Sequence, residues 1–506
     1  MDPGGSRVLN RAMIPSLATH GVVSGVPGCG KSRLLARLFL FRDLWYGTAA
    51  IVLDVTGQIS ANLIDRMSYL RREEQERLWP RVRYVDYAGR DGYVVPDPLL
   101  YRVGEEGLYE IAQRPIECWL KLSPELARNP TLGEGAIRRV GTHAFMLMAA
   151  MEPMGQADDV ARLLDDPAAW EPRIKRARAQ HPTLADAARY FLDVYPKLRA
   201  HDRKLETDAL RLRIAPYTAD GTLNAIHCGA PQGIDFDRFF AEDPGRVVLL
   251  DLHRLNGADR KRFVAQWTIQ NLLEASWRRG PGKHKSATLM IDELSAIVAT
   301  PSIRNEKLDD LFVELARRVA RNNALSLLCS LQSLNQLSDP VADAVMDFGM
   351  HCHGPASDQQ TALKIAQRFL RWDPHLVRKT EYIQHPGSRW NTGWTDERTT
   401  EYSRQDQEYM LARRLIDELP RYKFMLGVAP TEGTSAGALR RVDVEALDRG
   451  RYPDPVLVAR AQSTLMRRDG VRMEEAIDVP SSKLSAPLST PPHDGRRTPV
   501  RSVKLT

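Results

Sequence analysis

The chain has 506 residues, 43% hydrophobic and 27% charged, which excludes fibrous and wholly disordered classes and predicts two or three packed regions. Its 71 Lys and Arg against 64 Asp and Glu leave a net charge of +7, a weak pointer to an acidic partner that only the placement of the basic residues can sharpen. The five cysteines (Cys29, Cys118, Cys228, Cys329 and Cys352) are odd in number and widely spread, so no disulfide framework is expected and a reducing compartment suits them.

At the N-terminus, Met1 to His20 shows no basic region followed by an apolar core, so no signal peptide is expected. The most apolar run, Val140–Met151, is shorter than the roughly 20 residues that cross a bilayer. A soluble, cytoplasmic protein without a transmembrane segment is the expectation. An apolar segment ending at Val22-Val23 predicts a strand. It leads into Gly25-Val26-Pro27-Gly28-Cys29-Gly30-Lys31-Ser32, a full match to G-x-x-x-x-G-K-[ST], and then into a helical run, Ser32–Trp45, that stops before Gly47. Glycines let backbone N–H groups turn inward around phosphate oxygens, and the helix N-terminus adds positive potential. Lys31 is therefore expected to reach the β- and γ-phosphates of a nucleotide, and the Ser32 hydroxyl to hold Mg²⁺. The expected nucleotide-binding set is Gly25, Val26, Pro27, Gly28, Cys29, Gly30, Lys31, Ser32 and Arg33.

Ala50–Asp54 and Val82–Tyr87 predict strands, with a helix over Gln58–Leu78 between them and Pro96-Asp97-Pro98 breaking the pattern afterwards. From Leu99 to Asp243 helical periodicity dominates (Gly135–Met151, Asp159–Leu164, Leu184–Val194, Leu205–Ile214), punctuated by Pro115, Pro130, Pro153, Pro182 and Pro196. No buried strand is expected there, so this stretch predicts an all-α insertion. Its basic runs, Arg173–Arg178 and Lys197–Lys204, are candidates for contacts with DNA phosphates or, more simply, solvated helix faces.

The sheet resumes at Val247–Asp251, with a helix over Arg260–Arg278 and a further strand over Thr288–Asp292. Three apolar runs thus end in Asp54, Asp251 and Asp292, as central strands of a covered parallel sheet do. Only the last carries a second acid. Asp292 is expected to hold Mg²⁺ through water, and Glu293 to polarise the attacking water as general base. Asp54 and Asp251 are expected to be strand-end residues, with Asp54 also able to face the nucleotide. The run Ala324–Ser330 ends in Leu331-Gln332-Ser333, which makes Gln332 a candidate sensor of the γ-phosphate. His351-Cys352-His353 fits a strand end better than a metal site, because no second ligand pair lies at a suitable spacing. A polar loop is expected over Gln384–Thr399, around Trp390 and Trp394, and a late strand over Tyr422–Val428. The Ser, Pro and Thr-rich basic tail, Asp478–Thr506, is expected to be disordered.

The order of these parts is more specific than any one motif. The loop Gly25–Ser32, then Asp54-Val55-Thr56-Gly57, a helical insertion, Val247–Asp251, Leu289–Glu293 and Leu315–Asn323 feeding the strand to Gln332 resemble the FtsK–HerA superfamily of ring-shaped DNA-pumping ATPases. Within it the chain is most similar to the TraG-like coupling proteins of conjugation and type IV secretion, over about Val22 to Val428. The resemblance implies an α/β, RecA-like P-loop NTPase fold with a mainly parallel central sheet and an inserted all-α domain. It divides the chain into a nucleotide-binding part at 1–98, the insertion at 99–245, a second nucleotide-binding part at 246–445 and a C-terminal extension at 446–506. It also implies ATP and Mg²⁺ at the interfaces of a homohexamer, with single- or double-stranded DNA in the channel and relaxase or other secretion and mobile-element proteins as partners. Lys31, Glu293 and Gln332 fill its catalytic positions, and Arg317, Arg318 or Arg321 could supply an arginine finger to a neighbour. Transmembrane helices and a preceding β-barrel, found in branches of the superfamily, are not seen here. An ATP-driven DNA translocase is the expected function. The alternatives are a phage-type packaging or secretion ATPase, and a nucleotide-gated assembly switch in a mobile-element or defence system.

Overall fold

The computed structural model describes residues 20–102, 106–123, 133–229, 234–280, 285–298, 306–319, 324–370, 373–386, 394–428, 440–443 and 452–477. The basic tail, Arg321 and Trp390 lie outside them.

The described residues form thirteen strands: β1 (Gly21–Ser24), β2 (Ala49–Asp54), β3 (Val82–Asp86), β4 (Tyr93–Val94), β5 (Val247–Asp251), β6 (Ala287–Ile291), β7 (Leu325–Leu331), β8 (Met350–His353), β9 (Val377–His385), β10 (Trp394–Glu401), β11 (Lys423–Val428), β12 (Arg440–Asp443) and β13 (Val471–Arg472). Nine of them make one sheet in the order β12-β11-β8-β1-β7-β6-β2-β5-β3. Every pairing from β8 to β3 is parallel, while β11 runs antiparallel to β8 and β12 to β11. All residues of β1, β2, β5, β6, β7 and β8 are buried, and the mainly aliphatic runs of β2, β5, β6 and β7 follow from this: with both faces covered there is no solvent side to mark by alternation. The expected α/β, mainly parallel architecture is therefore present. His351, Cys352 and His353 belong to β8, and no cluster of three or more His, Cys, Asp or Glu side chains placed to hold a metal ion occurs among the described residues.

After β1 and its loop the chain enters one continuous helical stretch: Lys31–Leu34, a π-helical turn over Leu35–Leu40, and Phe41–Tyr46. It ends at Gly47, whose φ of 81° is the left-handed conformation that terminates helices with least strain at glycine. The single helix expected over Gln58–Leu78 is two, Gln58–Ser68 and Arg72–Leu78. The second begins with its own cap, the Glu74 carboxylate accepting from the Arg71 N–H at 3.0 Å, and this local bond competes with continuing the first helix.

Between β4 and β5 the described residues contain helices and no strand. Of the prolines expected to punctuate them, Pro182 and Pro196 stand in short 3-10 turns and Pro130 lies outside the described residues, whereas Pro115 lies inside Leu108–Leu122; Pro172 and Pro216 also lie inside helices, Pro167–Gln180 and Ala200–Ala219. The basic runs sit on partly or fully exposed faces, with Arg173 over the Trp170 ring and Lys175 paired to Glu171. One contiguous apolar core includes both these helices and the sheet. The helix Ala258–Arg279 joins them: its Phe263 stacks on Trp267 and meets Tyr217 of Ala200–Ala219 at 5.2 Å between ring centroids.

At the two ends of the polar loop expected over Gln384–Thr399, Gln384, His385 and Trp394 to Thr399 belong to the antiparallel pair β9–β10, whose register pairs Thr395 with Gln384 and Thr399 with Thr380, while 387–393 lie outside the described residues. Its sequence shows no polar/apolar alternation because both faces are mostly solvated. A smaller apolar cluster lies beside it, between the helices Gln359–Phe369 and Arg404–Arg413. No helix among the described residues is long and apolar enough to cross a membrane.

Candidate nucleotide site

β1 lies between β8 and β7 and delivers the chain into the glycine-rich loop at the C-terminal edge of the sheet. Both strand neighbours anchor that loop: the Gly25 N–H donates to Leu331 O at 3.3 Å, and the Val26 N–H to Pro355 O at 2.9 Å. Gly28 (φ 73°) and Gly30 (φ 100°) hold left-handed conformations that a side chain would strain, and a Cβ on Gly28 would meet nothing within 4 Å. The loop surface there is open. The first helical bond runs from the Leu34 N–H to Gly30 O at 2.9 Å, so the N–H groups of Lys31 and Ser32 have no helical acceptor and are available to an anion. Lys31 folds across the loop, donating from Nζ to Gly25 O at 2.7 Å and Val26 O at 3.3 Å, which leaves one of its three N–H donors uncommitted.

Across from the loop, Asp292 follows β6. Its Oδ1 accepts from Ser32 Oγ at 3.3 Å and from Ser330 Oγ at 2.9 Å, and its Oδ2 accepts a short bond from Thr56 Oγ1. Burial raises its pKa, the hydroxyls of Thr56, Ser330 and Ser32 pull it down, and the adjacent Glu293 pushes it up. A buried carboxylate facing a serine hydroxyl at the end of a phosphate loop is the hard-oxygen donor set that suits Mg²⁺. Glu293 has φ 57°, a left-handed conformation unusual outside glycine, and its N–H donates to Ser330 Oγ at 3.1 Å. Its carboxylate accepts from Ser295 Oγ at 2.7 Å and from Gln332 Nε2 at 3.0 Å. The structure thus brings together Lys31, Ser32, Asp292, Glu293 and Gln332.

Asp54 is not on the open face. It is fully buried, takes the Ser60 N–H on Oδ2 at 2.7 Å, and burial together with the nearby Asp292 and Asp251 pushes it up to about 8. Asp251 accepts from Tyr84 Oη at 2.7 Å and from the His253 N–H at 2.9 Å. Both sit where strand-end residues were expected. Arg33 lies with its guanidinium carbon 5.1 Å from the centroid of the Tyr452 ring. Arg317 is exposed and forms an ion pair with Asp347 at 3.6 Å. The Arg318 side chain and all of Arg321 fall outside the described residues.

Four contributors escape sequence reasoning: Thr56, Ser330, Ser295 and Tyr422, whose N–H donates to Cys29 O at 3.1 Å. Hydroxyl residues at the ends of neighbouring predicted strands were a usable signal for Thr56 and Ser330. Nothing local marks Tyr422, which meets the loop only through the pairing of β11 with β8.

Sheet and loop together define a P-loop α/β nucleotide-binding fold. No family model and no curated protein matches the chain. Among solved structures it is similar to the plasmid coupling protein TrwB in complex with an ATP analogue, with 14% identity over 88% of this chain and 90% of that one, at a TM-score of 0.49. The unbound conjugative coupling protein TrwBdeltaN70 matches with 13% identity over 85% of each chain, at 0.46. VirB4 of Thermoanaerobacter pseudethanolicus matches with 14% identity over 69% and 80%, at 0.40. At such scores the fold assignment rests on the sheet order and loop geometry above.

Proposed function

We propose that the chain is an ATP-driven DNA motor of the coupling-protein type, dividing at about residues 98, 245 and 445 into two nucleotide-binding parts, the insertion between them and a C-terminal extension. The observation that carries the nucleotide part is the convergence of Lys31, Ser32, Asp292, Glu293 and Gln332 at one edge of a parallel sheet. Lys31 and the N–H groups at the start of the helix bind the phosphates. Ser32 and Asp292 hold Mg²⁺, which neutralises charge on the transferred phosphoryl group. Glu293 orients the attacking water and takes its proton, and Gln332 fixes the Glu293 carboxylate through Oε2 while lying where the γ-phosphate would be sensed.

The order of motifs along the chain supports the DNA and ring parts: a homo-oligomer, hexameric by resemblance, with Arg317, Arg318 or Arg321 reaching a neighbouring site. The test is an ATPase assay with and without DNA. Turnover should rise with DNA and fall about 100-fold or more on Lys31→Ala and on Glu293→Gln, with nucleotide binding kept in the latter. Hydrolysis indifferent to single- and double-stranded DNA alike would refute translocation. Hydrolysis surviving both substitutions would refute the site.

A further inference from the structure

Two tyrosines from distant segments meet beside the phosphate loop, on the flank away from Asp292 and Glu293. The acids follow β6 and Gln332 follows β7, on one side of β1; Tyr422 precedes β11, which lies beyond β8 on the other. Tyr422 is pinned to the loop. Its N–H bonds to Cys29 O at 3.1 Å, its φ of 65° is left-handed without being glycine, and its ring carbon Cδ1 lies only 2.8 Å from where a Cβ on Gly30 would sit. Tyr452 is held from a second direction. Two residues on, the Asp454 N–H donates to Asp65 Oδ1 at 3.1 Å, and Asp65 pairs with Arg37 of the phosphate-loop helix at 2.8 Å. The two phenol oxygens are 3.1 Å apart, and the Arg33 guanidinium lies over the Tyr452 ring.

Despite these anchors Tyr452 is 69% exposed. A large aromatic ring fixed at its hydroxyl end and leaning on a guanidinium, yet largely open to solvent, leaves apolar area uncovered next to an anion-binding loop. Arg33 directly follows Ser32, so it marks the end of the loop from which the sugar and base of a bound nucleotide extend when the γ-phosphate points toward Glu293. We infer that Tyr452, positioned by Tyr422 and Arg33, is a stacking platform for a purine base; this rests on the nucleotide reading above and adds the base to it. Because the two hydroxyls bond each other, the platform presents a ring face with no base-edge code. It favours purines over pyrimidines by stacking area and does not separate adenine from guanine.

Equilibrium binding to the full chain of ATP, GTP, CTP and inorganic triphosphate, each with Mg²⁺, tests this. Wild-type protein should bind ATP and GTP alike, about 10-fold more tightly than CTP and more tightly still than triphosphate. Tyr452→Ala should weaken ATP about 10-fold and leave triphosphate unchanged, whereas Tyr452→Phe should keep most of the ATP affinity. Since Tyr452 is largely exposed, these variants should melt with the wild type. Equal loss of ATP and triphosphate in Tyr452→Ala, or wild-type protein that binds the two alike, overturns the platform and leaves the phosphate site standing. Absence of binding by every ligand, triphosphate included, overturns the nucleotide reading and the platform with it.

Discussion

Glu293 occupies a left-handed conformation that costs a non-glycine residue about 1–2 kcal/mol, and a single hydroxyl spans the bend: Ser330 Oγ accepts from the Glu293 N–H and donates to Asp292. Ser330→Ala should therefore disturb both acids at once. Its expected signature is a kcat lowered about 10-fold with KM for ATP changed far less, because the phosphate contacts proposed for Lys31 and Ser32 do not involve Ser330. A KM effect equal to the kcat effect would place Ser330 in binding instead. The acid pair was legible from its sequence because strand and carboxylates are contiguous. Its hydroxyl partners were marked only as hydroxyls at the ends of predicted strands, since Thr56 and Ser330 reach Asp292 through the register of β2 and β7 on either side of β6. A different residue, remote from this chemistry, should govern part of the pH dependence of stability. Burial lifts the Asp43 carboxyl from 3.8 to about 6 even with Arg42 at 3.1 Å. A folded-state value above the unfolded one means that folding takes up a proton, so this contribution is full below about pH 4 and is lost as pH rises through 6. Asp43→Asn should melt close to the wild type at pH 4 and increasingly above it toward pH 8, where the removed penalty approaches roughly 3 kcal/mol. A melting difference independent of pH would contradict this.

Among elements, the parallel strands were the most legible, because burial on both faces writes itself as unbroken aliphatic runs. Helix breaks and the hairpin were the least. The split after Ser68 depends on a Glu74 cap with no proline or glycine to announce it, and Pro115 sits within a helix that tertiary packing holds together. β9–β10 lacks alternation because it has no buried side, so it resembles a loop in every local respect except its threonines. That exposure has a consequence. The Tyr402 N–H bonds to Leu376 O at 2.9 Å across the base of the hairpin, which brings the two chain ends together below it. Replacing residues 377–401 with a short Gly-Ser turn should leave the melting temperature within about 2 °C, because little apolar area is lost. Trp267→Ala belongs to the opposite extreme. The ring is fully buried against Phe263 in the helix that joins the insertion to the sheet, and its removal should destabilise the protein by about 3–5 kcal/mol. Comparable melting of the two variants would show that this helix is not the junction it is taken to be.

For the molecule as a whole, all the proposed chemistry lies along the C-terminal edge of one sheet, and Arg317 is on a helical turn (Leu315–Val319) just before β7, one of that sheet's central strands. Its guanidinium is exposed and engaged only loosely, at 3.6 Å from Asp347, a pairing that is weak in water and easily exchanged for a phosphate. If assembly carries Arg317 to a neighbour's site, the general base and the finger that serve one ATP belong to different chains. Glu293→Gln then spoils a subunit's own site but leaves its finger intact, and Arg317→Ala does the reverse. Each variant alone should hydrolyse ATP poorly. Mixed before assembly, they should recover activity, because some interfaces then pair an intact Glu293 with an intact Arg317. For equal amounts joined at random in a ring, about a quarter of the interfaces are of that kind, so recovery should approach a quarter of the wild-type rate when sites fire independently, and less when they must fire in sequence. Mixtures no more active than the two variants averaged would assign Arg317 to its own subunit or to none, and would leave the finger to Arg318 or Arg321.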